Sequence, residues 1–406
     1  MTTQSRRAVP LLVDQALNSA SSFLFLSLVA RSATDSEFGV VTIVYSIEVV
    51  AMASFRASMG ERELLRSGSS ARRAKRFWLT LVSLTFVFAA TAAAAAPPGS
   101  QLVAGLTATG FAAWVLQDFQ RYAAISVGAV KAALVSDFVW TVPLAALFLA
   151  SLGGAATPAG LAAGTWLAGG LVAALTGMWL RPRRVPPERS SDEPPWAGFA
   201  LVALVNMVGS QAVLIVAAAV GSVAVAGTLR GALLLFAPMN VVFAANRNHW
   251  LAYSGVRSAQ VQLRAIGGLL VVAVVYVLAV WASGPWLSTI VLGPDIGSAS
   301  IPLLLPAGLQ VLAIAAYAWP SIEVRRLSRF TAAICVVSCG ALLYSCLSAW
   351  GLVAGGAVGA AWGLAAAEVV VALLYWVALR ISVLGAPLIR RASSSGPVAR
   401  PQEGGE

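Results

Sequence analysis

Twelve apolar windows, each long enough to cross a bilayer, follow one another along this chain and leave little between them. They lie at 9–31, 37–57, 77–96, 102–122, 132–151, 159–180, 197–220, 225–246, 265–284, 301–323, 329–350 and 357–380. A helix needs about 20 mostly apolar residues to cover the roughly 30 Å hydrocarbon layer. Within that layer, backbone groups must be satisfied inside the protein, which favours helices. Composition agrees: 59% of the 406 residues are apolar and 11% charged, with a mean hydropathy of +0.83. The expected fold is an all-α polytopic membrane protein of twelve transmembrane helices without a sizeable soluble domain.

The connections alternate between a basic set and a short set rich in Gly, Pro and Ser. Of the 27 Lys and Arg residues, only Arg31 and Arg230 fall outside the basic set. Positive loops stay in the cytoplasm, so this alternation predicts an even number of spans with both termini cytoplasmic. It also accounts for the net charge of +11 without nucleic acid as a partner. The stretch RPRRVPPERSSDEPP (181–195) is the longest internal break in hydrophobicity and falls near the middle. It divides the chain into a six-helix lobe at 1–185, a cytoplasmic linker at 186–196 and a second six-helix lobe at 197–384. A polar tail at 385–406 is expected to be disordered. An offset of 188 residues places Asn18 on Asn206, Ser22 on Ser210 and Gly39 on Gly227. Two halves of equal orientation would be related by an axis along the membrane normal.

Cys335, Cys339 and Cys346 share one side of an apolar helix and imply packing rather than a disulfide framework. The single histidine, His249, excludes HExxH and multi-histidine metal sites, and no GxxxxGK[ST] motif is present. The largest outer loop, 285–300, is small for a glycosyltransferase site even though it holds Asp295. No enzyme, metal or cofactor is expected.

The chemistry-bearing residues lie within the spans, where a charge at mid-bilayer costs about 2.5–3.5 kcal/mol on insertion scales. Helix 1 carries Asp14, Asn18 and Ser21/Ser22 along one face, and helix 7 repeats the stripe with Asn206 and Ser210 beside Gln211. Two such stripes predict a central hydrophilic cleft; interhelical hydrogen bonding is the plainer alternative. Helix 2 carries Glu48 in its inner half and Arg56 at its inner end. Helix 8 carries Arg230 about one turn from its outer end, with no acidic residue near it on that helix. Arg31 ends helix 1 at the same outer mouth. Either cation suits an anionic ligand or an ion pair across the bundle. Asp118, Arg121 and Asp137 suggest a local ion pair in the hairpin of helices 4 and 5. Glu368 lies midway along helix 12, after a ridge of glycines at 351, 355, 359 and 363. Prolines 238, 302, 306 and 320 allow bending in helices 8 and 10.

The run DQALNSASSFLFLSLVARSATDSEFGVVTIVYS in the first two helices resembles the Wzx-like polysaccharide flippases of the MOP superfamily, relatives of the MATE exporters. QDFQRYAAISVGAVKAALVSDFVW, VAGTLRGALLLFAPMNVVF and AAWGLAAAEVV extend the resemblance over nearly the whole chain. It implies a V-shaped, two-lobed transporter with helices 1, 2, 7 and 8 lining the cleft. The cargo it implies is a polyprenyl-pyrophosphate-linked oligosaccharide, flipped by alternating access across the bacterial cytoplasmic membrane for surface polysaccharide assembly. Membrane lipids, a polysaccharide polymerase and glycosyltransferases are the implied partners. Arg230 and Arg31, and less closely Arg56, match the cations that would hold the pyrophosphate. Asn18, Asn206, Ser210 and Gln211 would complete the cleft, and Asp14, Glu48 and Glu368 would serve coupling or gating. The chain departs from that pattern in having few central cations. Two other readings are open: a cation-coupled MATE-type drug or metabolite exporter, with Asp14 as its protonation site, and a non-transporting scaffold for envelope assembly.

Overall fold

In the computed structural model, residues 5–56, 71–126, 128–180, 196–252, 259–326 and 330–394 are described, and they are almost entirely helical. The first half comprises α1 (Ser5–Ser32), α2 (Asp35–Phe55), α3 (Ala71–Ala94), α4 (Gln101–Ser126), α5 (Val130–Leu152) and α6 (Ala159–Leu180). The second half opens with α7 (Trp196–Val216), which ends in a π turn over Ala217–Gly221. It continues with α8 (Val223–Leu235), α9 (Ala237–Ala252), α10 (Ala259–Ala282), α11 (Gly284–Leu292), α12 (Pro294–Ser300), a 3₁₀ turn at Ile301–Leu303, α13 (Leu304–Arg326) and α14 (Phe330–Ser394). The linker expected at 186–196 lies outside the described residues except for Trp196, as do Arg62, Arg66, Arg257, Arg329 and residues 395–406 of the tail. The final helix is described to Ser394, within the stretch read from sequence as a disordered tail.

Short, capped turns set the helix directions. Thr34 caps α2 by a reciprocal box: its side chain accepts the Glu37 amide at 3.3 Å while Glu37 accepts the Thr34 amide at 2.9 Å. Such a cap is worth about 1 kcal/mol, and Asp35 and Glu37 also suit the positive helix end. Ser222 caps α8 by a single bond, accepting the Val225 amide at 3.2 Å, with no reciprocal partner because the third residue is valine. The 65-residue α14 is two antiparallel arms. Gly355 and Gly356 leave helical geometry, Gly356 at φ +61°, and the chain doubles back. A Cβ on Gly351 or Gly359 would run into the other's backbone, and one on Gly363 into the Leu347 carbonyl. The glycine ridge therefore packs one arm directly on the other.

Two further breaks shape the bundle. α8 and α9 form one apolar path bent by 51° just before Pro238, and α10 turns by 83° into α11. The segment 285–300, read as a loop, folds largely into α11 and α12. Both are far below spanning length and are delimited by Gly284–Pro285 and Gly293–Pro294. Seven described helices are long and apolar enough to cross a membrane, or nine if each bent pair is one span. The chain is a multi-pass membrane protein. Trp179, Trp281, Trp286, Trp350, Trp362 and Trp376 are exposed, as amphipathic rings at a membrane surface would be.

The halves meet along α2, which packs more extensively on α7 and α8 than on α3 and α4. A Cβ on Gly39 would collide with the Val223 carbonyl, while one on Gly227 would sit 3.2 Å from the Gly39 amide. The glycines matched by the 188-residue offset are thus pressed against each other at the crossing. Thr34 and Ser222, the two caps, obey the same offset.

Candidate functional site

Two polar assemblies lie in the interior. The first belongs wholly to the first half. Asp14, Gln15 and Asn18 on α1 meet Arg56 on α2, Gln117, Asp118 and Arg121 on α4, and Ser136 and Asp137 on α5. Helical spacing brings Asp14 to Asn18 and Asp118 to Arg121 on shared faces. The remaining contacts require the four helices to pack.

Arg121 is the hub. It lies 2.6 Å from Asp14, 3.3 Å from Asp118 and 3.4 Å from Asp137, and donates to Gln15 at 3.0 Å. Arg56 forks onto Asp118 at 2.8 and 3.1 Å and donates to the Asn18 side-chain oxygen at 2.9 Å. Gln117 donates to Asp137 and, at 3.3 Å, to Ser136. The Arg121 side chain is 4% exposed and that of Arg56 27%. Three carboxyl groups therefore face two guanidinium groups, so full ionisation would leave one buried negative charge in excess. One oxygen each of Asp14 and Asp137 has no hydrogen-bond partner. The pair read from sequence as a local link between helices 4 and 5 is part of a larger cluster that reaches α1 and α2.

The second assembly lies at the seam. Arg230, two turns into α8 rather than one, places its guanidinium 4.9 Å from the centre of the Tyr45 ring on α2. It donates to Gln211 on α7 at 3.4 Å, and its Nε has no partner. No carboxylate lies within ion-pair distance of it among the described residues. Asn206, Ser210, Gln211 and Arg230 are all partly exposed, and the Ser210 hydroxyl donates back to the Met207 carbonyl at 3.2 Å. Tyr45 stacks on Trp114 at 5.6 Å, and Arg56 lies 5.6 Å from the centre of the Trp114 ring. A ladder of cation, two rings and cation thus joins the seam to the carboxylate cluster. Sequence reasoning missed Trp114; its place on the same face of α4 as Asp118 and Arg121 was the available signal.

The other expected residues are placed as follows. Arg31 faces three helix ends, not an open cleft. Its Nε donates to the Ser151 hydroxyl at 3.1 Å, Nη2 to the Ser151 carbonyl at 3.3 Å, and Nη1 to the carbonyls of Thr289, at 3.2 Å, and Ile290. These carbonyls close α5 in the first half and α11 in the second, beside the end of α1 itself, where a cation is favoured. Glu48 is buried, and neither carboxyl oxygen has a hydrogen-bond partner. Glu368 is buried in the second half, accepting from the Tyr344 hydroxyl at 2.8 Å and from Gln310 at 3.5 Å. Among the described residues, no group of three or more His, Cys, Asp or Glu has the arrangement of a metal site.

No protein-family model matches the chain, and no curated protein matches it. Its fold is similar to that of solved MATE structures. One is the inward-facing conformation of a multidrug resistance MATE family transporter of the MOP superfamily, at 14% identity and a TM-score of 0.64, covering 94% of this chain and 96% of that one. An outward-facing conformation of such a transporter has 14% identity, a TM-score of 0.61 and 96% coverage of both chains. A MOP superfamily transporter from Pyrococcus furiosus, described as having a binding pocket of reversed polarity, has 13% identity and a TM-score of 0.63, covering 93% of this chain and 94% of that one. The architecture is that of the MATE fold.

Proposed function

We propose that the chain is a flippase that carries the phosphate-linked headgroup of a lipid saccharide along the seam between α1, α2, α7 and α8. The observation that carries this reading is Arg230: a partly exposed cation between the two halves with no acidic partner among the described residues. An unpaired cation in a low-dielectric wall is costly. An arriving anion would satisfy it, and Gln211, Asn206 and Ser210 offer neutral polar contacts to the same headgroup. Support for alternating access comes from the fold, which similar transporters adopt in inward- and outward-facing forms.

Our topology has twelve spans with both termini in the cytoplasm. The nine counted above become twelve when α1 and α3 are added and the two arms of α14 are counted separately. The α1–α2 turn then lies outside, and the Arg31 contacts hold the outer face closed. The proposed location is the bacterial cytoplasmic membrane, with polysaccharide polymerase and glycosyltransferases as functional neighbours. Asp14, within the carboxylate-rich cluster, is the proposed coupling residue. Glu48 and Glu368 are assigned to gating within their own halves.

The test is transfer of a fluorescent polyprenyl-phosphate-linked sugar in liposomes containing the purified chain, read by quenching from outside. The wild-type chain should equilibrate the probe between leaflets, and Arg230→Ala should fall to the rate of empty liposomes. Wild-type transport in that variant would remove the assigned site. A second reading, a cation-coupled MATE-type exporter, is favoured by the excess carboxylate in the first half. Proton-gradient-driven efflux of a cationic dye, lost in Asp14→Asn and untouched in Arg230→Ala, would select it.

A further inference from the structure

Among the described residues, the proposed seam holds less positive charge than a pyrophosphate requires. Three cations were candidates for holding the headgroup, and two already have partners. Arg56 is engaged through Nε and Nη2 by both oxygens of Asp118 and by Asn18. Its charge balances a carboxylate that also lies beside Arg121. Arg31 directs its donors at Ser151 and at the last carbonyls of α11, so moving it to a ligand would strip three converging helix ends of their cation. Arg230 alone of the three has neither a carboxylate nor a helix end opposite it.

The neighbours of Arg230 do not add charge. Gln211 and Tyr45, its contacts, supply neutral dipoles; Asn206 and Ser210 on the same helix as Gln211 are also uncharged, and the Ser210 hydroxyl hydrogen is directed to a backbone carbonyl. The Tyr45 ring presents its electron-rich face to the guanidinium, which lowers the pull on an incoming anion. A phosphodiester carries one negative charge and a pyrophosphate diester two. The second charge would sit in a partly buried wall with no counter-ion, where an uncompensated charge is costly.

On this balance we infer that the cargo is joined to its lipid through a single phosphate, as a polyprenyl phosphoryl sugar or another monophosphodiester lipid, and not through a pyrophosphate. The inference rests on Arg230 being the headgroup site. It departs from the pyrophosphate carrier that the sequence resemblance implies. Specificity here comes from a missing cation: the second charge is rejected because no second free cation at the seam answers it among the described residues.

The test compares binding of farnesyl phosphoryl glucose and farnesyl diphosphoryl glucose to the purified full-length chain in lipid nanodiscs, by displacement of a fluorescent farnesyl phosphoryl sugar. The wild-type chain should bind the monophosphate lipid about tenfold tighter, the scale of one poorly compensated charge. Arg230→Ala should weaken it by at least that factor. Gln211→Arg, which adds a second cation beside the first, should narrow or reverse the preference. Equal or tighter wild-type binding of the diphosphoryl lipid, with both weakened in Arg230→Ala, would overturn the single-phosphate inference and leave Arg230 as an anion site. If Arg230→Ala left both affinities unchanged, the site reading itself would fail. Inorganic phosphate separates the two sources of a singly charged phosphate: displacement at concentrations matching the lipid would point to a free anion and contradict a lipid cargo.

Discussion

The two halves share a backbone plan and have opposite interiors. The offset that pairs Thr34 with Ser222 and Gly39 with Gly227 keeps both caps and the crossing between halves. It also pairs Asp14 with Val202, which is 2% exposed and packs in an apolar cluster. Arg230 in turn falls on Thr42, a buried residue of α2. Among the described residues, the first half concentrates charge into a five-residue ion cluster, whereas the second buries the Glu368 carboxyl and holds Arg230, without a carboxylate partner, at the seam. The repeat thus fixes where helices cross, and chemistry has been assigned to each half separately. A closed ion cluster stores charge.

The contrast is most easily broken at Arg121. Its removal leaves three buried carboxyl groups with only the Arg56 guanidinium, and breaking a buried pair costs about 3–5 kcal/mol. Arg121→Met should therefore lower thermal stability sharply, as followed by loss of monodisperse protein on heating. A small drop would mean that the cluster is hydrated and loosely held. Next in size is the crossing. Gly to Ala within a helix ordinarily gains up to about 1 kcal/mol, but a Cβ on Gly39 meets the Val223 backbone. Gly39→Ala should destabilise by about 1–3 kcal/mol, as overpacking does. A gain would show that the halves do not touch there.

Smaller effects sharpen the comparison. Arg31→Ala removes a cation from three helix ends, worth up to about 2 kcal/mol. Distances between spin labels at Ala155 and Ala299, in a background lacking the native cysteines, should shift towards an open outer face. An unchanged distribution would deny Arg31 a role in closure. Tyr344→Phe removes one donor from Glu368 while Gln310 is retained. It should cost about 1–2 kcal/mol, less than any change at Arg121; a larger loss would make the two interiors alike.

The all-helical, multi-pass architecture was legible because lipid imposes length and hydrophobicity on every span. Asn18, Arg56 and Arg230 also stood out, since ionisable or polar side chains in apolar windows are few. Of the assembly around Arg121, the local links to Asp118 and Asp137 were legible and those to α1 and α2 were not. Asp14 is more than a hundred residues away from it in sequence, and the two meet because α1 packs on α5, which itself lies against α4. Arg31 was read as a cleft cation because no sequence pattern marks an arginine that caps the ends of other helices. The segment 285–300 was read as a loop for a related reason: each of its helices is too short to leave a periodic signal.

Everything proposed for the seam requires water to reach the wall that carries Arg230. Asn206→Cys and Gln211→Cys, in a chain whose native cysteines are replaced, can be tested with a membrane-impermeant thiol reagent applied to each face of sealed vesicles. Labelling at both positions, blocked by a phosphate-linked lipid, is the predicted result. Positions that stay unlabelled from either face, with and without lipid and under every ion gradient tried, would contradict a hydrated path and leave Arg230 a structural residue.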